Sequence, residues 1–204
     1  MKWIVVILAG LLGQPGGPPD DLFPATKGSV WEYSVTEGGQ SGPAKATVKA
    51  VSNKNGVRTA NIVWTAGGNT VRTETYQVFG NGIRRIKSGQ SGEVSIEPGL
   101  PLIQYPMSVG KKWEWTGTVE PANGPARKAT ALIRVTGRES VVTKAGTFSA
   151  FRVELKLLVA GEGVTPASYW FAPGVGLVKE YTATRTPDNK KYEIAGILTR
   201  YTLK

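Results

Sequence analysis

The sequence predicts an all-β protein, an antiparallel meander of about twelve strands in two similar halves that builds a curved sheet, half-barrel or barrel. Three observations lead there. After the first 22 residues, no stretch of useful length repeats its apolar residues at helical spacing. Segments rich in β-branched and aromatic residues instead alternate with Gly, Asn and Pro clusters that turn the chain. The sequence also repeats itself: Phe23-Pro24, Gly28 and Trp31-Glu32-Tyr33 return 82 residues later as Tyr105-Pro106, Gly110 and Trp113-Glu114-Trp115. Gly42-Pro43-Ala44 keeps that offset at Gly124-Pro125-Ala126, and Lys45-Ala46-Thr47 returns at Lys128-Ala129-Thr130 after the inserted Arg127. Repetition at one spacing marks a duplicated unit.

The elements follow in order. Residues 29–36 place Trp31, Tyr33 and Val35 on one face and Glu32, Ser34 and Thr36 on the other, the alternation of a half-buried strand. Strands are expected at 44–52 and 57–65, joined through Asn55-Gly56, whose positive-φ preference suits a tight hairpin. Residues 70–79, 83–87 and 93–96 follow, separated by Gly80-Asn81-Gly82 and Gly89-Gln90-Ser91-Gly92. Pro98-Gly99-Leu100-Pro101 reads as the boundary between the halves. The second half gives strands at 112–119, 128–136, 140–143, 147–160, 164–171, 176–185 and 192–203. Gly82-Ile83 is matched there by Gly176-Leu177, 94 residues on, so the second copy is about twelve residues longer by that point.

The organisation expected is a signal peptide over 1–14, a linker over 15–22 and one β domain over 23–204, made of halves 23–100 and 105–204. Lys2 followed by an apolar run of about ten residues fits a secretory leader and is short for a membrane span, which takes about 20. No integral span is expected after its removal. The predicted address is therefore exported, periplasmic or extracellular.

Composition narrows the chemistry. The chain has neither Cys nor His, so disulfides, lipid attachment through Cys, zinc and haem sites, and nucleophilic triads are not expected. No cofactor or metal is expected. The formal charge of +10 favours anionic partners. Its basic residues, however, come in scattered pairs such as Arg84-Arg85 and Lys111-Lys112, which read as solvated outer faces of strands. Export and this scatter argue against nucleic acid.

Candidate motifs have competing readings. The two aromatic-Pro openings with their Gly and Trp fit either an aromatic ligand site or a loop folded over the sheet end, and the second is preferred because both halves carry them. Glu32 and Glu114 match in the repeat as a glycosidase pair would require, but alternation puts each opposite its neighbouring Trp, toward solvent. Ser108-Val109-Gly110-Lys111 fits the Ser-x-x-Lys of penicillin-recognising enzymes, yet it precedes a strand where that motif opens a helix. No catalytic residue is assigned, and no enzyme is expected.

Val142-Thr143-Lys144-Ala145-Gly146-Thr147-Phe148 and Tyr169-Trp170-Phe171-Ala172-Pro173-Gly174-Val175-Gly176, with the Pro-x-x-x-Gly-x-x-Trp openings, resemble a family of bacterial exported β-proteins of unassigned function. Phe171 stands where that family shows Tyr. The resemblance covers most of the mature chain and implies a fold akin to the curved sheet of periplasmic lipoprotein carriers. Two functions follow as expectations. One is a non-catalytic cell-envelope protein that binds a lipid or other hydrophobic ligand, lined by Trp31, Tyr33, Trp113, Trp115, Leu155 and Leu157. The alternative is a structural or interaction module that contacts anionic polysaccharide or a protein partner at the cell surface.

Overall fold

The computed structural model describes residues 21–89, 93–185 and 191–204; the expected leader and residues 15–20 of the linker lie outside them. The described residues contain no helix. The strands are β1 (Val30–Glu37), β2 (Gln40–Lys54), β3 (Val57–Ala66), β4 (Asn69–Phe79), β5 (Gly82–Gly89), β6 (Val94–Gln104), β7 (Lys112–Pro121), β8 (Arg127–Thr143), β9 (Gly146–Val159), β10 (Gly163–Ala172), β11 (Gly176–Arg185) and β12 (Lys191–Thr202). Each pairs antiparallel with its chain neighbours, and β12 returns to β1, which closes a barrel.

Alternation sorts side chains between the lumen and the outer wall. Trp31 and Tyr33, Ala44 to Val48, Trp113 and Trp115, and Val153 and Leu155 are buried at every second position. The outer wall pairs charge with charge: Glu32 meets Lys45 at 3.8 Å and Arg200 at 2.9 Å, and Arg152 meets Glu154 at 2.9 Å.

The duplicated motif is a structural latch. Gly28, at φ +87°, donates its N–H to Val48 O at 2.9 Å, and Val48 N–H donates to Ser29 O at 3.0 Å. Gly110, at φ +90°, bonds Val135 O at 2.8 Å, and Val135 N–H donates to Lys111 O at 2.8 Å. Each Gly adopts a backbone that a Cβ would strain. A β-bulge follows each partner, after Val48 in β2 and after Val135 in β8. That bulge also explains why 128–136 and 140–143, expected as two strands, form the single strand β8.

The barrel has a closed end and an open one. At the closed end the segment 21–26 crosses the opening: Gly174 N–H donates to Asp21 O at 2.8 Å, Leu22 N–H to the Tyr105 hydroxyl at 3.2 Å, and the Arg58 guanidinium to Phe23 O at 3.3 Å. Leu22 and Ala25 are fully buried there. The opposite end is rimmed by the β1–β2 and β3–β4 hairpins.

Pro98-Gly99-Leu100-Pro101 lies inside β6, the last strand of the first half, rather than in a turn after residue 96. Proline has no N–H to offer a ladder, and the β6–β7 pairing accordingly stops at Glu97 opposite Thr118. Side chains carry the seam beyond that point. Trp115 Nε1 donates to Pro98 O at 2.8 Å and Trp113 Nε1 to Pro101 O at 2.9 Å. Lys111 Nζ, the lysine of the Ser-x-x-Lys match, caps the carbonyls of Gln104, Tyr105 and Pro106 at 2.9, 3.3 and 3.0 Å. Gly117 permits this arrangement, since a Cβ there would lie 2.4 Å from the Trp115 ring. At the other junction between halves, β1 and β12 pair along all of Val30–Glu37.

Candidate functional site

A cluster of charged residues sits inside the barrel between its centre and the open end. Arg72, Glu74 and Tyr76 point inward from β4 opposite Trp64, Ile62 and Ala60 of β3. Arg85 joins them from β5 and Glu180 from β11. Glu74 and Glu180 are 4% and 5% exposed, far below what an unpaired carboxylate tolerates. Pairing resolves this. Arg85 reaches Glu74 Oε1 at 3.3 Å, Trp64 Nε1 donates to Glu74 Oε2 at 2.9 Å, and the Arg72 guanidinium donates to Glu180 Oε1 at 3.3 Å. Arg72 Nε lies 3.8 Å from Glu74 Oε1, beyond hydrogen-bond length, and has no hydrogen-bond partner. The guanidinium rests over the Trp64 ring at 4.1 Å, and Trp64 stacks with Tyr33 at 5.0 Å.

The electrostatics follow from this packing. Burial alone would raise the Glu74 carboxyl, but Arg72, Arg85 and hydrogen bonds from Trp64 and Tyr76 together hold it below its ordinary value. Burial would likewise favour loss of the guanidinium protons, yet the surrounding carboxylates and tyrosines push Arg72 and Arg85 upward. Burial, then the Glu180 carboxylate, raises the Tyr33 hydroxyl well above its usual range.

Two spaces adjoin the cluster. The lumen between Trp31, Tyr33, Tyr76, Arg85 and Tyr169 keeps about 40 Å³, room for water only. The open end is a mouth of about 580 Å³ with Trp64, Arg72 and Glu180 at its floor. Val35, Ala44, Ala66, Val71 and Ile194 form its walls, and Glu37, Gln40 and Ser41 its rim. Its volume lies within the range of small-molecule sites. Gly196 on β12 makes room for the floor carboxylate, since a Cβ there would lie 3.1 Å from Glu180 Cγ.

The residues expected to line a ligand site are divided among other places. Trp31 and Tyr33 border the small lumen space, and both donate across the barrel, to Val175 O at 2.7 Å and Leu177 O at 2.8 Å. Trp113 and Trp115 hold the β6–β7 seam. Leu155 is buried opposite Ile133, and Leu157 is half-buried against the core. Glu32 and Glu114 lie on the outer wall, each opposite its neighbouring Trp, and Glu32 is engaged with Lys45 and Arg200.

The mouth and its charges escaped the sequence reading. Arg84-Arg85 was expected to be solvated; Arg84 lies over the Phe79 ring at 4.8 Å, whereas Arg85 is inside. A signal was present in β4: Arg72, Glu74 and Tyr76 alternate with Thr73, Thr75 and Gln77, which puts two charges on the face of a buried aromatic.

No family model and no curated protein matches the chain. Two solved structures share its fold. One is a candidate exported protein with a YmcC-like fold from Bacteroides fragilis, 14% identical, at a TM-score of 0.58 over 88% of this chain and 98% of the other. The second is a candidate lipoprotein from Parabacteroides distasonis, 16% identical, at a TM-score of 0.52 over 89% of this chain and 98% of the other. The likeness is one of fold, and both neighbours fit the expectation of an exported bacterial β-protein.

Proposed function

We propose that this chain is a non-catalytic exported protein of the cell envelope, periplasmic or extracellular, that binds a small amphipathic ligand in the open mouth of its barrel. The observation that carries the reading is the mouth itself: about 580 Å³ with apolar walls and a polar floor, against about 40 Å³ in the space beneath it between Trp31, Tyr33 and Tyr76. The ligand is thus assigned to the barrel end rather than to a concave sheet face. One neighbour is named as an exported protein and the other as a lipoprotein, which supports the address.

The test is native mass spectrometry of the mature chain purified from its exporting host, beside Ala66→Trp, which fills the mouth. A stoichiometric small-molecule adduct on the parent chain that Ala66→Trp loses supports the reading. A clean mass that a panel of amphiphiles leaves unchanged refutes it. That result would favour an interaction module contacting anionic polysaccharide or a protein partner, a reading supported by the +10 charge.

A further inference from the structure

This inference rests on the mouth being the binding site and names the chemistry that it takes. The geometry points to a zwitterionic ligand, a small amphiphile whose neighbouring ammonium and anionic groups lie antiparallel over the Arg72–Glu180 pair. Its apolar part would rest against Val35, Ala66, Val71 and Ile194.

The floor pair is incompletely satisfied. One N–H···O contact of 3.3 Å joins Arg72 to Glu180, at the long end of hydrogen-bond lengths. A guanidinium and a carboxylate each offer several further sites, and both side chains line the mouth. The Arg72 side chain keeps 26% of its surface exposed where the mouth meets it, against 6% for Glu180. Its orientation is fixed beforehand by the Trp64 ring, so a ligand meets a fork already held in place.

Charge balance selects among ligand classes. A lone anion on Arg72 would lie beside Glu180 and weaken the partner that this buried carboxylate needs. A lone cation on Glu180 would lie beside Arg72 in the same way. A zwitterion gives each member of the pair a second, opposite partner and adds no net charge to a low-dielectric floor. The spacing also suits it: 3.3 Å between the paired atoms is close to the separation of the two charges in an α-amino-acid zwitterion. An amino-acid-like molecule and an ethanolamine phospholipid headgroup both present this chemistry.

The experiment is isothermal titration of the mature chain with five probes. L-leucine, leucinamide, N-acetylleucine and isocaproamide share one apolar body and differ in charge; dihexanoyl-phosphatidylethanolamine presents the headgroup. Methyl chemical shifts of Val71 and Ile194 report whether binding is in the mouth. The expected result is that leucine or the short phospholipid binds about tenfold or more tighter than the cation, anion and neutral probes, and whichever of the two does so identifies the source. Glu180→Gln should weaken that binding about tenfold and strengthen N-acetylleucine. Gly196→Ala, which presses on Glu180 and removes no charge, should weaken zwitterion binding in the same direction. N-acetylleucine, leucinamide or isocaproamide binding the parent chain as tightly as the zwitterions, with the mouth methyls shifting, would overturn this inference and leave the mouth reading standing. No heat and no methyl shift across the panel would overturn both.

Discussion

Replacing Trp113 and Trp115 by Phe should open the barrel along one line. Below Glu97, strands β6 and β7 have no backbone ladder, and the two indole N–H groups bond Pro101 O at 2.9 Å and Pro98 O at 2.8 Å in its place. Phe keeps a ring and removes the donor. Each change loses a hydrogen bond and leaves a carbonyl without its donor, worth about 1–3 kcal/mol. The smaller ring adds a void costing about 1 kcal/mol. Each single variant should therefore lose about 2–4 kcal/mol in urea unfolding. The pair should depart from additivity, because both side chains serve one seam. The discriminating assay is amide hydrogen exchange. In W113F and W115F the amides between Leu100 and Gln104 should gain exchange ahead of the other strands. The repeat-related Trp31→Phe loses a comparable bond, to Val175 O at 2.7 Å, but leaves the β1–β12 ladder whole. It should lower stability without local opening. Exchange in β6 that rises only in step with global unfolding in all three variants would refute the idea of a side-chain seam.

Other outcomes follow from the buried charges and the tight backbone sites. Glu74→Gln leaves Arg72 and Arg85 short of a counter-charge and should destabilise the fold by about 3–5 kcal/mol, measured by urea unfolding. The folded-state pKa of Glu74 is held below its ordinary 4.5, so its contribution is present above that value and is lost as pH falls through the depressed one. Thermal melts from pH 6 down to 2 should show a loss in the parent chain that is reduced in E74Q. Gly82→Ala would drive its Cβ to 2.2 Å from Ile103 O at a φ of +155°, and should fail to give a soluble folded chain or melt far below the parent. Lys111→Met removes the cap from three carbonyls and should destabilise by about 1–3 kcal/mol by urea unfolding.

What the sequence made legible was local. The alternation at Trp31-Glu32-Tyr33 and Trp113-Glu114-Trp115 places each residue on the side where the barrel has it, and the repeated Gly forecasts a shaped loop. Pro98 and Pro101 shortened the expected strand to 93–96 where β6 runs on to Gln104, because proline signals a break when only backbone donors are considered. Here the missing bonds come from two tryptophans further along the chain. The charged floor was hidden for a related reason. Charges on a strand are read as solvent-facing unless a partner is known, and Glu180 finds Arg72 from a position 108 residues away. That closure is a property of the barrel, and no window of sequence contains it.

The segment that crosses the closed end also sets a direction. Asp21 enters beside Gly174, and Lys204 N–H donates to the Ser29 hydroxyl at 3.1 Å, so the first and last described residues both lie at the plugged side. Any tether joined ahead of Asp21 would hold the barrel by its base, with the mouth turned outward like a cup. Surface-immobilised protein should thus be attached through either terminus, and a carrier fused there would leave the rim free to meet solute.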